Sequence, residues 1–342
     1  MKKILALLLC FIDKWINCYW ISVFIFRNFQ KIKYLKIQTY LKIQFFIFNI
    51  YTLKNRKFNI VYDYSNSPPT NGDFIVFLML VKFLTTKKIK LNFYIIKDEF
   101  REDWLLLDAS EKNELLKNHN KFIKILLDKK ICNIKYLTWK QFKVIKNINF
   151  FNTFLYLNVV NRKNCYSQSI NFLNFFNFDK YQDRKFLLSR KLFFDYIFKK
   201  KLPENFITFH ARYQKNWQSF RNLTISEFDI IVENLTKKFP NYKIIVVTDK
   251  HGANYFKNNS KGSSNLSFSK DYSNSFYGDA LLVLSSRFYY QIRGGGIGII
   301  PMFSNVPYYI ECSLNTEIMV SNNKLFSWQK SDQKFTLIRK YL

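Results

Sequence analysis

A run of four β-branched residues, Ile244-Ile245-Val246-Val247, is the feature that most limits the folds open to this chain. The surrounding stretch Tyr242–Thr248 shows no alternation of apolar and polar residues, which is typical of a strand buried on both faces of a sheet. The preceding segment Thr224–Phe239 has helical spacing, and Thr224 and Glu227 are placed to form a capping box. A helix followed directly by a doubly buried strand predicts a parallel α/β sheet.

The same alternation of strands and helices extends over both halves of the chain. The predicted strands are 58–64, 90–97, 134–139, 153–160, 206–209 and 242–248, and the predicted helices are 74–84, 111–129, 186–200 and 224–239. Tight turns are few, since the 342 residues include only 8 Gly and 6 Pro, and this argues against an all-β sandwich. The predicted fold class is therefore α/β, with two Rossmann-like doubly wound domains facing a central cleft.

The chain is long enough for two domains preceded by a shorter segment. We expect an apolar or helical segment at residues 1–55, a first α/β domain at 56–202 and a second at 203–342. The run Ile4–Ile12 resembles the start of a signal peptide, but Asp13 and Lys14 stand where the cleavage site should be. In a membrane span those charges would cost about 2.5–3.5 kcal/mol each. We therefore expect a helix that packs on the protein or lies on a membrane surface.

The formal net charge of +30 raises the question of a nucleic-acid partner. The excess comes from 43 Lys against 11 Arg, whereas nucleic-acid surfaces use the arginine fork freely. Lys is abundant together with Asn, Ile, Phe and Tyr, whose codons are also rich in A and T. A bias toward such codons therefore explains most of the excess of Lys. We predict no nucleic-acid partner, and a basic surface suited to anionic lipid headgroups or phosphorylated substrates. The alternative is a non-enzymatic basic protein that binds anionic membrane or nucleic acid, with an affinity that falls steeply with salt.

The cysteines and histidines form no metal or disulfide pattern. The five cysteines are scattered and include no C-x-x-C pair, and the three histidines are far apart in sequence. His119, in a polar stretch, is predicted to lie at the surface. We predict no metal, no cofactor and a reducing, cytoplasmic location, with peripheral contact to the inner face of the membrane as an option.

Basic residues directly follow the strand 206–209. His210 and Arg212 stand at its carboxyl end, and Arg221-Asn222 precedes the helix 224–239. In an open α/β sheet, ligands bind outside the carboxyl ends of the strands. A guanidinium group there can fork onto a diphosphate, and a nearby helix N-terminus adds N–H donors. The competing interpretation is that the arginines are surface charges and that His210 is a hydrogen-bonded core residue.

Gly294-Gly295-Gly296 places three of the chain's 8 glycines side by side. Glycine permits positive φ and close backbone approach, so such a loop can turn N–H groups onto phosphate oxygens. The surrounding Arg293–Gly298 is neither a G-x-G-x-x-G after a strand nor a Walker loop, so dinucleotide and ATP binding are not supported. A flexible connection is the alternative interpretation.

These motifs resemble the donor-binding half of GT-B glycosyltransferases, in particular fucosyltransferase-like and related bacterial surface-polysaccharide enzymes. The resemblance covers about two thirds of the chain. It lies in the strand-His-x-Arg segment with its following helix and strand (206–249), in the segment 278–309, and in the loop 67–74. In the family pattern the apolar stretch 279–284 is a strand followed by a Ser/Gly loop, a helix and a Pro-anchored strand.

The resemblance implies transfer of a sugar from a nucleotide-sugar donor, held by the second domain, to a surface glycan or lipid-linked acceptor at the first. It implies that Arg212 contacts the donor diphosphate and that Ser285–Gly296 closes over the phosphates or the sugar. After Arg212 the chain reads Tyr213-Gln214-Lys215, without the second Arg and the acidic residue of the fucosyltransferase pattern. The donor, GDP-fucose or another nucleotide sugar, therefore stays open. The predicted donor-binding residues are His210, Arg212, Arg221, Asn222, Asp249, Ser285, Ser286, Gly294, Gly295 and Gly296.

An inverting transfer needs a base that takes the proton of the acceptor hydroxyl. Asp73, in the loop that opens toward the acceptor cleft, is one candidate, and Asp249 and Glu311 at strand ends are others. Each of the three is alternatively a helix cap or a solvated loop charge. The predicted catalytic residues are Asp73, His210 and Arg212. Asp-x-Asp, the metal-binding signature of the other large glycosyltransferase fold, is absent from the sequence, so we predict a metal-independent transfer.

Overall fold

The computed structural model describes residues 57–65, 67–86, 90–128, 130–148, 154–156, 188–214, 222–293 and 295–311. Two parallel sheets organise these residues. The predicted α/β class with two Rossmann-like doubly wound units is therefore confirmed. The segment predicted at residues 1–55 lies outside the described residues. Within the described ranges, no helix combines the length and the hydropathy that a membrane crossing requires.

The first sheet and its helices form a unit that we call lobe 1. Its described elements are β1 (Lys57–Asp63), α1 (Asn71–Thr86), β2 (Lys90–Ile96), a 3-10 turn (Glu102–Leu106), α2 (Ala109–Leu126), β3 (Cys132–Leu137), α3 (Trp139–Ile148) and β4 (Phe154–Tyr156). The strand order is β3-β2-β1-β4, with every pairing parallel. Strands β2 and β3 follow β1 on one side, and β4 lies on the other side of β1. The order therefore reverses between β1 and β4, which is the topological switch point of lobe 1.

Helix α1 is buried on all sides. Each residue from Phe74 to Val81 is at most 1% exposed. The helix packs against β2 and α2 of its own lobe and against the turn Gly296–Gly298 of the second lobe. A helix that is apolar all round has no solvent-facing side, and the uninterrupted run Phe74–Val81 matches this environment.

The second sheet and its helices form lobe 2. Its described elements are β5 (Phe206–His210), α4 (Ile225–Lys238), β6 (Lys243–Val247), α5 (Lys250–Asn259), β7 (Leu266–Phe268), α6 (Ser269–Tyr272), α7 (Phe276–Ser285), β8 (Tyr289–Ile292), a 3-10 turn (Gly296–Gly298), α8 (Ile299–Met302) and β9 (Tyr308–Glu311). The order is β7-β6-β5-β8-β9, again with parallel pairing throughout. The switch point of lobe 2 therefore lies between β5 and β8.

The local signals at the start of lobe 2 are confirmed. The backbone N–H of Glu227 donates to the hydroxyl of Thr224 at 3.3 Å, and the Thr224 N–H donates to the Glu227 carboxylate at 2.9 Å, which completes the capping box of α4. Residues 244–247 of β6 are at most 2% exposed. Helices cover both faces of this strand, which is why its sequence shows no polar alternation.

Two predicted elements are wrong. The stretch 279–284 is not a strand, because it lies within α7, whose N-terminus is capped by the Ser275 hydroxyl accepting from the Gly278 N–H at 3.1 Å. This helix is buried almost all round, and periodicity cannot distinguish such a helix from a buried strand. The helix predicted at 186–200 is also absent from its described part, 188–200, which holds only a 3-10 turn at Arg190–Phe193. Contacts with the two lobes decide the conformation there, and they override the weak helical propensity.

The two lobes share one hydrophobic core. Phe122 of α2 contacts Phe276 and Tyr277 of α7, with ring centroids 6.0 and 5.7 Å apart. Phe193, in the connecting segment, packs on Tyr277 at 4.6 Å. The sheets fall within the predicted domains 56–202 and 203–342, whose limits stay predictions. Part of the connecting segment already belongs to lobe 2, since the Leu188 N–H donates to the Phe303 carbonyl at 2.7 Å.

Candidate functional site

The carboxyl ends of the two sheets face each other. Gly72, in the first turn of α1, follows β1, and Gly296 follows β8. A Cβ atom built on Gly72 would lie 2.7 Å from the Gly296 Cα and 3.0 Å from its carbonyl oxygen, so the two backbones are in direct contact. Ligands of open α/β sheets bind outside the strand ends at the switch points. Here the loops at both switch points approach each other, and we call the region between residues 67–73 of lobe 1 and residues 210–214 and 295–298 of lobe 2 the interlobe crevice.

His210 stands at the carboxyl end of β5, next to the glycine-rich loop. Its Nδ1 lies 2.9 Å from the Val247 carbonyl oxygen, which can only accept, so Nδ1 carries a proton. The other edge of the ring faces Gly295. A Cβ atom on Gly295 would overlap this ring, at 2.7 Å from Cδ2, and Gly295 also has a φ of 156°. Only glycine allows the loop to approach the histidine this closely.

Arg212 is buried, with 7% exposure, two residues beyond His210. Its carbonyl accepts the Leu223 N–H at 3.1 Å, which ties the end of β5 to the entrance of α4. The Asn222 side chain accepts the Gln214 N–H and donates to the Gln214 carbonyl, both at 2.8 Å. Asn222 therefore clamps the backbone at this entrance. Arg221 and Gly294 lie outside the described residues, and their predicted donor contacts stay predictions.

Arg293 connects the glycine-rich loop to α4. It has a φ of 60°, unusual for a residue other than glycine, and its guanidinium donates to the Asn222 carbonyl at 2.8 Å and pairs with Glu227. The entrance of α4 and the loop after β8 are therefore held together across the switch point of lobe 2. The sequence does not predict this role of Arg293, because nothing in it indicates that Glu227 of the capping box has a second partner.

Asp73 lies across the contact from this loop, in the first turn of α1. Its N–H donates to the Thr70 hydroxyl at 3.2 Å, and the Thr70 hydroxyl donates to its carboxylate. The side chain thus completes the N-terminal cap of α1, and it is also half-buried beside Gly72. Burial raises the pKa of this carboxyl, while the Thr70 hydrogen bond and the nearby Arg101 charge oppose the increase. A carboxylate with a raised pKa is a stronger base than one with the ordinary pKa.

The loop that carries Asp73 rests on buried aromatic residues. The Trp104 indole N–H donates to the Ser67 carbonyl at 2.9 Å. Tyr64 hydrogen-bonds His119 Nδ1 at 2.9 Å, and the His119 ring stacks on Phe74 with centroids 3.9 Å apart. These contacts hold the loop between β1 and α1 in place.

The prediction that His119 lies at the surface is wrong, since the residue is fully buried. Burial lowers its pKa to about 3, although the backbone of Thr70 acts in the opposite direction. The ring is therefore neutral at physiological pH. It lies on the apolar face of α2, and the surrounding Asn and Lys residues concealed that face in the sequence.

The remaining predicted residues occupy different places. Asp249 caps α5, where its carboxylate accepts the Gly252 N–H at 2.6 Å and the Gln214 side-chain amide at 2.8 Å. Burial raises its pKa as well. Glu311 ends β9 at the same edge of the sheet as Ile292.

Ser285 and Ser286 are not brought to the interlobe crevice. They end α7 and precede β8, and the neighbouring Arg287 N–H donates to the carbonyl of Phe206 at the start of β5. They therefore lie at the amino edge of the sheet, one strand length from His210. The hydroxyl of Ser286 donates to the Val283 carbonyl and accepts from Thr208, which is a structural role.

Among the residues that the structure describes, no cluster of three or more His, Cys, Asp or Glu side chains could hold a metal ion. Arg212 is buried in the segment that follows β5, Arg293 follows β8 and pairs with Glu227, and Arg101 lies near Asp73.

No protein-family model and no curated protein matches this chain. Among solved structures, E. coli heptosyltransferase WaaC with ADP-2-deoxy-2-fluoro heptose is similar at 12% identity and a TM-score of 0.40, covering 78% of this chain and 91% of its own. A putative UDP-N-acetylglucosamine 2-epimerase from Listeria monocytogenes is similar at 9% identity and a TM-score of 0.29, covering 74% and 78%. At these values neither likeness decides an activity, and the fucosyltransferase-like type stays a prediction. The strand orders and the facing carboxyl edges carry the fold assignment.

Proposed function

We propose that this protein is a glycosyltransferase of GT-B type that transfers a sugar from a nucleotide-sugar donor to a surface glycan or lipid-linked acceptor. One observation carries the proposal. The backbone contact between Gly72 and Gly296 brings a half-buried carboxylate, Asp73, next to the glycine-rich loop after β8. The base needed by the acceptor and the donors needed by a diphosphate then meet in one crevice.

Lobe 2 is the proposed donor side. Arg212 supplies a positive charge to the donor diphosphate, and the N–H groups around Gly295 and Gly296 approach its oxygens because no side chain stands between them. The Val247 carbonyl fixes the Nδ1 proton of His210, and the His210 ring packs against Gly295 and so orients the glycine-rich loop. Asn222 and Arg293 hold the entrance of α4 so that its N–H groups face the same anion. In this proposal the protein's own cations neutralise the leaving group, and no metal ion takes part.

Lobe 1 is the proposed acceptor side. The acceptor hydroxyl oxygen attacks the anomeric carbon while the bond from that carbon to the diphosphate oxygen breaks. Asp73 takes the hydroxyl proton, and the nucleoside diphosphate leaves with the bonding electron pair. The negative charge that develops on the leaving group is stabilised by Arg212 and the loop N–H groups, which are already in position.

Calorimetry with GDP, UDP and ADP tests the donor side. Replacing Arg212 with Ala should weaken binding of the preferred nucleotide by about 1.5–3 kcal/mol, the usual range for a hydrogen bond to a charged group. Because Arg212 is buried, Arg212→Lys is measured in parallel, and circular dichroism with thermal melting establishes that both variants fold.

Arg287→Ala is the matched control, since this exposed arginine lies at the opposite edge of the same sheet. It should leave nucleotide affinity unchanged. An unchanged nucleotide affinity in a folded Arg212→Ala protein, or an equal loss in the control, would contradict the proposed donor site.

A further inference from the structure

The segment that connects the two sheets presents two large apolar side chains to solvent. Phe194 and Ile197 are 88% and 89% exposed, above the other large exposed hydrophobic residues of the described chain. Isolated exposed apolar residues are ordinary in soluble proteins. These two differ because they stand three residues apart in one short segment, Phe194 in a turn and Ile197 two residues after it.

Inward-facing neighbours hold this turn in place. Phe193 packs on Tyr277 at a centroid distance of 4.6 Å, and the Tyr196 hydroxyl donates to the Ser273 hydroxyl at 2.6 Å. The turn is therefore anchored at the junction of the two lobes. The exposure of Phe194 and Ile197 is a consequence of how the segment is anchored.

Basic residues flank this apolar pair in the sequence. Five exposed basic residues flank it: Arg190, Lys191, Lys199, Lys200 and Lys201. Asp195 is the single acidic residue within 189–201, and it accepts a hydrogen bond from Tyr277 at 3.1 Å. Five positive charges against one negative charge give this short segment a net charge of +4. A second copy of the chain would present the same charge and would be repelled.

We propose that this docking face, formed by Phe194, Ile197 and the five flanking cations, binds the surface of an anionic lipid bilayer. The two apolar side chains enter the headgroup layer, and the cations contact lipid phosphates; this combination is typical of proteins that lie on a membrane without crossing it. The proposal goes beyond the transferase activity and does not depend on it, because it concerns a face built at the junction of the lobes.

The chain contains a matched control for this face. Leu105 and Leu106 are 82% and 59% exposed on the 3-10 turn of lobe 1, so they also form an adjacent apolar pair. Acidic residues border them, namely Glu102, Asp103 and Asp108. An anionic bilayer would repel this second pair, although its apolar exposure is comparable.

Flotation of the full-length protein with vesicles provides the test. The vesicles are phosphatidylcholine alone or phosphatidylcholine with one third phosphatidylglycerol. We expect binding to the anionic vesicles only, and a weaker affinity when salt is raised from 0.1 to 0.5 M, because the Debye length shortens. Phe194→Ser with Ile197→Ser should lower the partition coefficient about 10-fold or more. Replacing Lys199, Lys200 and Lys201 with Gln should lower it about 100-fold.

Two variants control for folding and net charge. Leu105→Ser with Leu106→Ser should bind as the unchanged protein does, as should a triple Lys→Gln variant at the exposed Lys117, Lys124 and Lys130 of lobe 1. Equal binding to neutral and anionic vesicles would overturn the proposal, and so would full binding by the folded Phe194/Ile197 variant. A change of oligomeric state in that variant, without any change in vesicle binding, would assign the face to a second copy instead. Nucleotide affinity, measured on the same samples, reports separately on the transferase proposal.

Discussion

Replacing Gly72 with Ala should separate the two lobes at the proposed reaction centre. The new methyl group would lie 2.7 Å from the Gly296 Cα, whereas carbon atoms pack best at about 3.5–4.0 Å. Both partners are backbone, so neither can rotate away. The contact must therefore open by about 1 Å, and a displacement of that size at a reacting centre costs on the order of 100-fold in rate.

The stability of α1 itself should not explain such a loss. Gly72 lies in the first turn of the helix, where Ala is favoured over Gly by up to about 1 kcal/mol, so local propensity acts against unfolding. The assay is sugar transfer, or hydrolysis of the donor, with the nucleotide sugar first identified by thermal-shift screening. We expect kcat to fall about 100-fold while nucleoside-diphosphate affinity, a property of lobe 2, changes less than about threefold.

Gly296→Ala provides a graded comparison across the same contact. Its Cβ atom would lie 3.2 Å from the Gly72 N and 3.4 Å from its Cα, so the backbones need to shift by only a few tenths of an ångström. Its kcat should therefore fall less than that of Gly72→Ala. If the Gly72 variant folds and keeps full kcat, or if the order of the two variants is reversed, the contact does not position the catalytic groups.

Two predictions concern ionisation. Replacing Arg101 with Gln removes a charge that lowers the pKa of Asp73, so the acid limb of kcat/KM, where the base becomes protonated, should move to higher pH; an unchanged pH–rate profile would exclude Asp73 as the base. His119, whose pKa is lowered to about 3 by burial, stays neutral when folded but binds a proton when unfolded below about pH 6.5. Stability should therefore decline as pH falls from about 6.5 toward 3, and in His119→Gln the slope of unfolding free energy between pH 4 and 6 should be shallower by about 1.4 kcal/mol per pH unit, measured by urea titration.

Much of the fold could be predicted because its strands carry strong local signals. The doubly buried β6 and the capping box of α4 are short-range features, and the structure places both as predicted. The failures lie where burial removes the periodic signal. Helix α7 has no polar face, so its composition also suits a strand, and only its greater length distinguishes the apolar run of α1 from a strand.

The candidate site was less predictable because its contacts are long-range. The strand β8 is not among the strands predicted from the sequence, so the grouping of His210 with the glycine run depends on the family resemblance; in the structure Gly295 lies against the His210 ring. The approach of Gly72 to Gly296 spans more than two hundred residues and has no sequence signature. The burial of His119 beneath the Asp73 loop depends on the same kind of contact. The family pattern has a strand at 279–284, and the end of a strand would place Ser285 and Ser286 at the carboxyl edge of the sheet. The stretch is instead part of helix α7, whose end lies at the amino edge.

The way the two lobes join limits how far they can move against each other. Separate domains usually move against each other unless their interface is large and apolar. Here α1 is buried on all sides between the lobes, and aromatic rings of α2 and α7 interlock, so opening the crevice by a hinge would expose core residues to water. At about 25 cal/mol per Å² of apolar surface, even a few hundred Å² would cost several kcal/mol. The charges and backbone groups around Gly296 are therefore held in a fixed arrangement, and rate enhancement in the proposed transferase reaction should come from this preorganisation instead of domain closure.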